Sequence, residues 1–269
     1  VGLTVAQFMA LFFPPIPVLH WVAAVAAAGL AGALWGGIVG WLKAKFAVSE
    51  VVATIMLNYV AFFGSRWASM QIPGANTYRT PNFPATARLT SPLFEKLTNG
   101  SRLSLGLWVA LLACLIYWFV IEKTKLGFEL RATGLNKNAA RYAGIKVTRS
   151  ITVSMLLAGM FAGLAGAVVA LGSFGYGRVL GGYDNYGFNG IAVALIGNNT
   201  AGGTLLAGLL FGMLASAQPL MQSRQIPKEI TLIISGLVVI FISMRAGVKL
   251  ILDWQAKKSA RLRKEAGNE

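Results

Sequence analysis

The sequence predicts an all-α fold: a polytopic transmembrane helix bundle with one short or broken helix and one further helix lying on the cytoplasmic side. Three observations predict it. First, 56% of the 269 residues are hydrophobic and only 12% are charged, where an average soluble domain carries roughly 25% charged residues. Second, the apolar residues come in uninterrupted runs, and a run of ~20 is what a helix needs to cross ~30 Å of hydrocarbon. Third, Lys and Arg fall between those runs and in the C-terminal tail, where positive charge sets topology. The net charge of +15 is thus explained by a lipid bilayer, with no need of nucleic acid.

Taken in order, residues 19–42 and 51–70 form the first two clear spans, and residues 1–13 read as the remnant of an earlier one. Residues 71–104, rich in Pro, Thr, Asn and Ser, read as a loop. Further spans are expected at 105–121, 151–172, 204–221 and 230–244, with a charged stretch at 122–150 and a Gly- and Tyr-rich loop at 173–186. The apolar run 187–197 is too short for a straight crossing. It predicts a broken or partly re-entrant helix, tolerated only inside protein or beside water. Residues 1–246 make one transmembrane domain, and 247–269 a basic cytoplasmic tail. Placing 122–150 and the tail on one side gathers sixteen of the 24 Lys and Arg residues there and leaves eight opposite. That side is therefore cytoplasmic and the 71–104 loop extracytoplasmic.

Glycines at 32, 36 and 40, at 159 and 163, and at 208 and 212 place small residues on one face of each helix, allowing close helix approach. Cys114 is the only cysteine, so neither an internal disulfide nor a cysteine metal site can form. No cofactor is indicated. His20, the only histidine, stands beside Trp21 at the start of a run and reads as a membrane-interface residue.

Polar residues within spans carry the functional argument. Glu50, Thr54 and Asn58 are spaced four and four, which makes one stripe on a helix. Such a stripe faces protein or water. It either lines a translocation path or divides into local roles, with Glu50 at a helix start behind Ser49 as N-cap and Asn58 in a helix–helix hydrogen bond. Asn189 and the group Asn198-Asn199-Thr200 with Gly202-Gly203 bracket the short run. They present polar groups to a solute or make an ordinary polar turn. In the charged stretch, Asn136 or Asn138 can cap a short helix and Gly144 can end it. Ala139, Ala140, Tyr142 and Ala143 give that helix an apolar surface suited to a partner's groove or to anionic lipid.

There is no Gly-x-x-x-x-Gly-Lys-Ser/Thr motif, so the chain has no P-loop for ATP. The spans hold almost no acids, although ion-coupled carriers place ionisable groups at mid-membrane. Energy for transport is expected from another subunit. No paired carboxylates, metal cluster or nucleophile–base pair can be assembled, so an enzyme is not expected.

Residues 49–59, SEVVATIMLNY, resemble the Glu-Val-x-x-Thr-Ile-Met-Leu-Asn signature of bacterial ABC transporter permeases for nucleosides and simple sugars. Residues 134–145, GLNKNAARYAGI, resemble the coupling loop of the wider branched-chain amino acid and ribose permease family, and 186–197, YGFNGIAVALIG, a third segment in the same order. Ser49 and Asn189 stand where members of that family often carry Asn and Asp. The resemblance implies a permease working with an ATP-binding subunit, a second permease subunit and an extracytoplasmic solute-binding protein. It also implies helices ahead of Val1 in a longer protein. Gly134, Asn136, Ala139, Ala140, Gly144 and Ile145 would belong to the loop that meets the ATPase. The expected function is a translocation path for nucleosides or a related simple sugar. A secondary carrier or channel without an ATPase partner is the competing expectation, against which the coupling-loop motif argues.

Overall fold

The computed structural model describes residues 1–89, 104–182 and 186–225, with isolated further positions between 227 and 244. Among the described residues, five helices are long and apolar enough to cross a membrane. The chain forms two units, Val1–Tyr183 and Asp184–Glu269.

The first unit runs α1 (Gly2–Phe12), α2 (Leu19–Phe46), α3 (Glu50–Met70), β1 (Arg79–Asn82), α4 (Gly106–Trp118), α5 (Lys125–Leu135), α6 (Lys137–Tyr142), α7 (Val147–Val168) and β2 (Tyr176–Arg178). α1 stops where Phe13, extended at φ −80° and ψ 145°, precedes Pro14, because the proline ring disfavours a helical residue before it. α2 ends on Ala47 at φ 52°, with Lys43 and Lys45 in its last turn, where cations complement the helix dipole. α4 and α7 each finish in a π-helical turn, at Phe119–Lys123 and Val169–Phe174.

The centre of this unit is the α2–α7 pair, with α1 packed against both. Two of the glycine stripes expected from the sequence meet there. A Cβ on Gly32 would strike the Gly159 carbonyl oxygen, one on Gly163 the Ala28 carbonyl, and one on Gly40 would come within 2.8 Å of the Thr152 Cα. Residue numbers rise along one helix as they fall along the other, so the pair is antiparallel and its backbones touch. Association of this kind rests on close van der Waals packing rather than on the hydrophobic effect.

At the end of the pair away from Lys43, residues 71–89 depart from the plain loop expected of them. Phe83, Ala87 and Leu89 are buried against Ala170 and Leu171 of the π turn and against Ala6, Ala10 and Ala24. The Leu89 N–H donates to the Leu171 carbonyl at 3.0 Å, and the Leu105 N–H to the Leu89 carbonyl at 2.7 Å. β1 pairs antiparallel with β2, Arg79 opposite Arg178, a small ribbon drawn from two segments that read as loops. His20 takes its place inside the protein. It is fully buried, its Nδ1 3.0 Å from the Thr86 hydroxyl and its Nε2 3.2 Å from the Met9 carbonyl, so it ties this cap to α1 and α2. Residues 90–103 lie outside the described residues.

In the second unit, α8 (Tyr186–Ile196) has 11 residues, about 16 Å of helix and half a hydrocarbon thickness. The expected short helix is therefore present. Asn198 and Asn199 take left-handed conformations, φ 52° and 55°. Thr200 caps α9 (Ala201–Ser223), accepting from the Gly203 N–H at 3.2 Å and donating to the Gly197 carbonyl at 2.8 Å. Gly197 abuts Thr204, and Gly208 faces Val193, so α8 and α9 form an antiparallel hairpin. Among the described residues nothing lies beside Gly212, and there the third glycine stripe makes no seam like that of α2 and α7. Of the expected span at 230–244, the described positions are helical, and the basic tail 247–269 lies outside the described residues.

Candidate functional site

The polar stripe of α3 divides. Thr54 and Asn58 line an open groove of ≈ 300 Å³, together with Leu57 and Ala61 of α3, Val1 and Gly2 at the start of α1, Gly32, Trp35, Gly36 and Val39 of α2, and Gly159, Ala162 and Gly163 of α7. The Thr54 hydroxyl donates back to the Val51 carbonyl at 3.0 Å, which commits its one proton to the helix. Asn58 is exposed. The groove exists because the glycine seam carries no side chains to fill it, and α3 gives it the polar side chains of Thr54 and Asn58.

Glu50 does something else. Its carboxylate forms an ion pair with the Lys43 ammonium across the short α2–α3 turn. It is absent from the groove lining. Ser49 occupies the N-cap position but its side chain accepts no capping bond, so the helix start is served by the Glu50 charge and not by a serine cap.

The groove also holds Trp35, which the sequence reading passed over. An indole offers a broad apolar face and one N–H donor. The available signal was its place on the glycine-bearing face, between Gly32 and Gly36.

Asn189 is exposed on α8 in the second unit. Asn198, Asn199 and Thr200 form the turn of the α8–α9 hairpin, and Gly202 and Gly203 lie in the first turn of α9.

The 122–150 stretch is fully built. Thr124 caps α5, its hydroxyl accepting from the Gly127 N–H at 3.2 Å. Asn136, not Asn138, caps α6, its Oδ1 accepting from the Asn138 and Ala139 N–H groups at 3.0 and 3.1 Å. Gly144 sits at φ +79°. The Ile145 N–H reaches the Ala140 carbonyl and the Gly144 N–H the Arg141 carbonyl, both at 3.0 Å, the double bond pattern of a Schellman motif that needs glycine at this position. Four of the six residues assigned to this loop by resemblance thus shape the helix: Asn136 starts it, and Ala140, Gly144 and Ile145 finish it.

The two alanines face opposite ways. Ala140 is 3% exposed and packs within the chain, whereas Ala139 and Gly134 are exposed, with nothing within 4 Å of a Cβ built on Gly134. Around them stand Leu135 and Tyr142, 89% and 95% exposed. Tyr142 was part of the apolar surface expected from the sequence; Leu135 was not. It reads as the end of α5, and only the turn at Asn136 turns it outward.

Residues 1–243 match the sequence model of a family described as branched-chain amino acid transport system, permease component. The chain belongs to this family. The permease is 41% identical over 261 residues to the guanosine ABC transporter permease protein NupP of Bacillus subtilis (strain 168), covering 97% of this chain and 75% of that one. It is 35% identical to the nucleoside ABC transporter permease protein NupB of Lactococcus lactis subsp. cremoris (strain MG1363), over 98% of this chain and 75% of the relative. It is also 35% identical to the glucose ABC transporter permease protein TsgB13 of Haloferax volcanii, over 80% of this chain and 59% of the relative. No solved structure matches. The permease is thus a multi-pass membrane subunit of an ABC transport system and not an enzyme.

Proposed function

We propose that this permease carries nucleosides, that Thr54, Asn58 and Trp35 form part of their path, and that α6 is the helix through which an ATP-binding subunit drives transport. The observation that carries the cargo reading is the groove beside α3. A nucleoside presents a flat base with hydrogen-bonding edges and a ribose with hydroxyls. Trp35 supplies a face for the base, Asn58 an amide that both donates and accepts, and Thr54 a hydroxyl. The guanosine and nucleoside permeases that match nearly the whole chain support the same reading. The exposed Leu135, Ala139 and Tyr142 around a capped helix support the ATPase contact, since apolar anchors around small residues suit a groove on a partner. A second permease subunit and an extracytoplasmic solute-binding protein complete the proposed complex, with 71–104 facing out and 122–150 facing the cytoplasm.

The test is uptake of labelled guanosine by the full-length permease with its partner subunits, in competition with other nucleosides, free ribose and glucose. Nucleosides should compete and the sugars should not. Trp35→Leu should lower nucleoside uptake by about tenfold, equivalent to ~1.4 kcal/mol and within the range for losing a base–aromatic stack. Competition by glucose with none by nucleosides would replace this cargo with a sugar.

A further inference from the structure

The Glu50–Lys43 pair belongs to neither the groove nor the helix cap, and its surroundings give it a part in coupling. Lys43 is in the last turn of α2 and Glu50 is the first residue of α3, so their ion pair closes the turn at residues 47–49. A small cavity of ≈ 150 Å³ opens beside Lys43 and is lined as well by Thr133, Gly134 and Lys137 of the 122–150 stretch and by Ser150 and Ser154 of α7. Lys137, the first residue of α6, thus faces the same cavity as Lys43, the partner of Glu50. The Glu50–Lys43 ion pair therefore stands beside a cavity that also carries a lysine of the helix proposed to meet the ATPase.

We infer that Glu50 and Lys43 form an electrostatic latch that passes displacement of α6, arriving through Lys137, to the base of α3. The inference rests on the coupling reading of α6. A shift of α6 that brings Lys137 toward Glu50 loosens the carboxylate from Lys43, and a shift away restores that pair. Either change alters how α3 leaves the turn. Thr54 and Asn58 stand four and eight residues up the same helix, about 6 and 12 Å above Glu50, so a tilt at the base moves the polar edge of the groove. A partly exposed ion pair contributes little to fold stability, which suits a contact remade in every cycle. Glu50 is thus a positioning residue, acting on the path through α3 without lining it.

The experiment is a series of charge exchanges in the full-length transporter in vesicles, with binding protein supplied, reading uptake and ATP hydrolysis together. Lys137→Gln should lower uptake per ATP by about threefold to tenfold with the ATPase still bound. Exchanging Lys43→Glu with Glu50→Lys rebuilds the pair but sets a lysine against Lys137, so coupling should stay poor. Adding Lys137→Glu should restore it, and that rescue is not expected of a lysine that only contacts the ATPase. Full coupling in the double exchange, or no rescue in the triple, overturns the latch. An Ala139→Trp variant separates the two ideas. If it uncouples while the charge variants behave as wild type, α6 meets the ATPase without the latch. If Ala139→Trp is also fully coupled, the reading of α6 fails.

Discussion

The α2–α7 seam and α3 are neighbours built on opposite principles. Along the seam, glycine lies against glycine and carbonyl oxygens fill the space where Cβ atoms would be. On α3 the buried residues are Ala53, Ser65 and Ser69 alone, and the rest of the helix is exposed or partly so. It is pinned at its two ends, by Glu50 to Lys43 and by Ser69 to Gln7, and carries Thr54 and Asn58 between. The seam is a scaffold that tolerates no change of shape. α3 is a helix whose middle is held lightly, which suits the solute path proposed for it. Local stability is low where buried apolar contacts are few.

The largest expected effect would break the scaffold side of this comparison. Gly159→Leu places a branched side chain into the Gly32 carbonyl and against the Gly36 Cα, 3.1 Å from where its Cβ would stand. Overpacking costs ~1–3 kcal/mol where side chains can yield, and here the obstacle is backbone. The cost should reach ~3 kcal/mol or more, and detergent-solubilised protein should lose its single size-exclusion peak. A folded, active Gly159→Leu protein would mean that the seam is not rigid. On the other side, Asn58 is exposed, so Asn58→Leu should leave assembly intact while uptake falls about tenfold, ~1.4 kcal/mol. Co-purification of partner subunits measured beside uptake checks it. Uptake lost in step with assembly would return Asn58 to the helix–helix bond that the sequence also allowed.

The seam was legible because small residues at i and i+4 leave a periodic trace, and two such traces on antiparallel spans have one obvious way to meet. The existence of α6 was legible for a similar reason: Asn136 and Gly144 are local signals with local geometry. The fate of each alanine was not. Ala139 and Ala140 are adjacent and chemically identical, and their opposite exposures follow from where α5 and α7 pass. The stripe of Glu50, Thr54 and Asn58 was visible as a period but not as a division of labour, because the partner of Glu50 is set by the sharpness of the turn at Ala47. The burial of His20 and of the 71–89 segment was not legible in the sequence, for one reason. Their burial depends on long-range pairing with Met9, Thr86, Leu171 and β2, and composition alone makes such segments look like surface.

The smallest expected effect sharpens the account of how α3 is held. Gln7 is fully buried, and its amide nitrogen donates to the Ser69 hydroxyl at 2.5 Å. Among the described residues its Oε1 is the one buried side-chain oxygen or nitrogen lacking a hydrogen bond. The amide is already half satisfied, and its Oε1 occupies the space that a Cβ on Gly177 would take. Ser69→Ala removes the remaining partner and strands the amide donor as well. Stranding a buried donor costs ~1–3 kcal/mol, and the low end applies because the serine hydroxyl leaves with no carbon framework lost. For a chain of this size ~1 kcal/mol shifts a melting midpoint by about 2–4 °C. A melt of the purified transporter should show that shift, with uptake per folded molecule little changed, because the far pin of α3 holds the helix without facing the groove. Uptake falling tenfold while the melt stays fixed would mean that this end of α3 also moves in the cycle, and the division between a pinned end and a working middle would not hold.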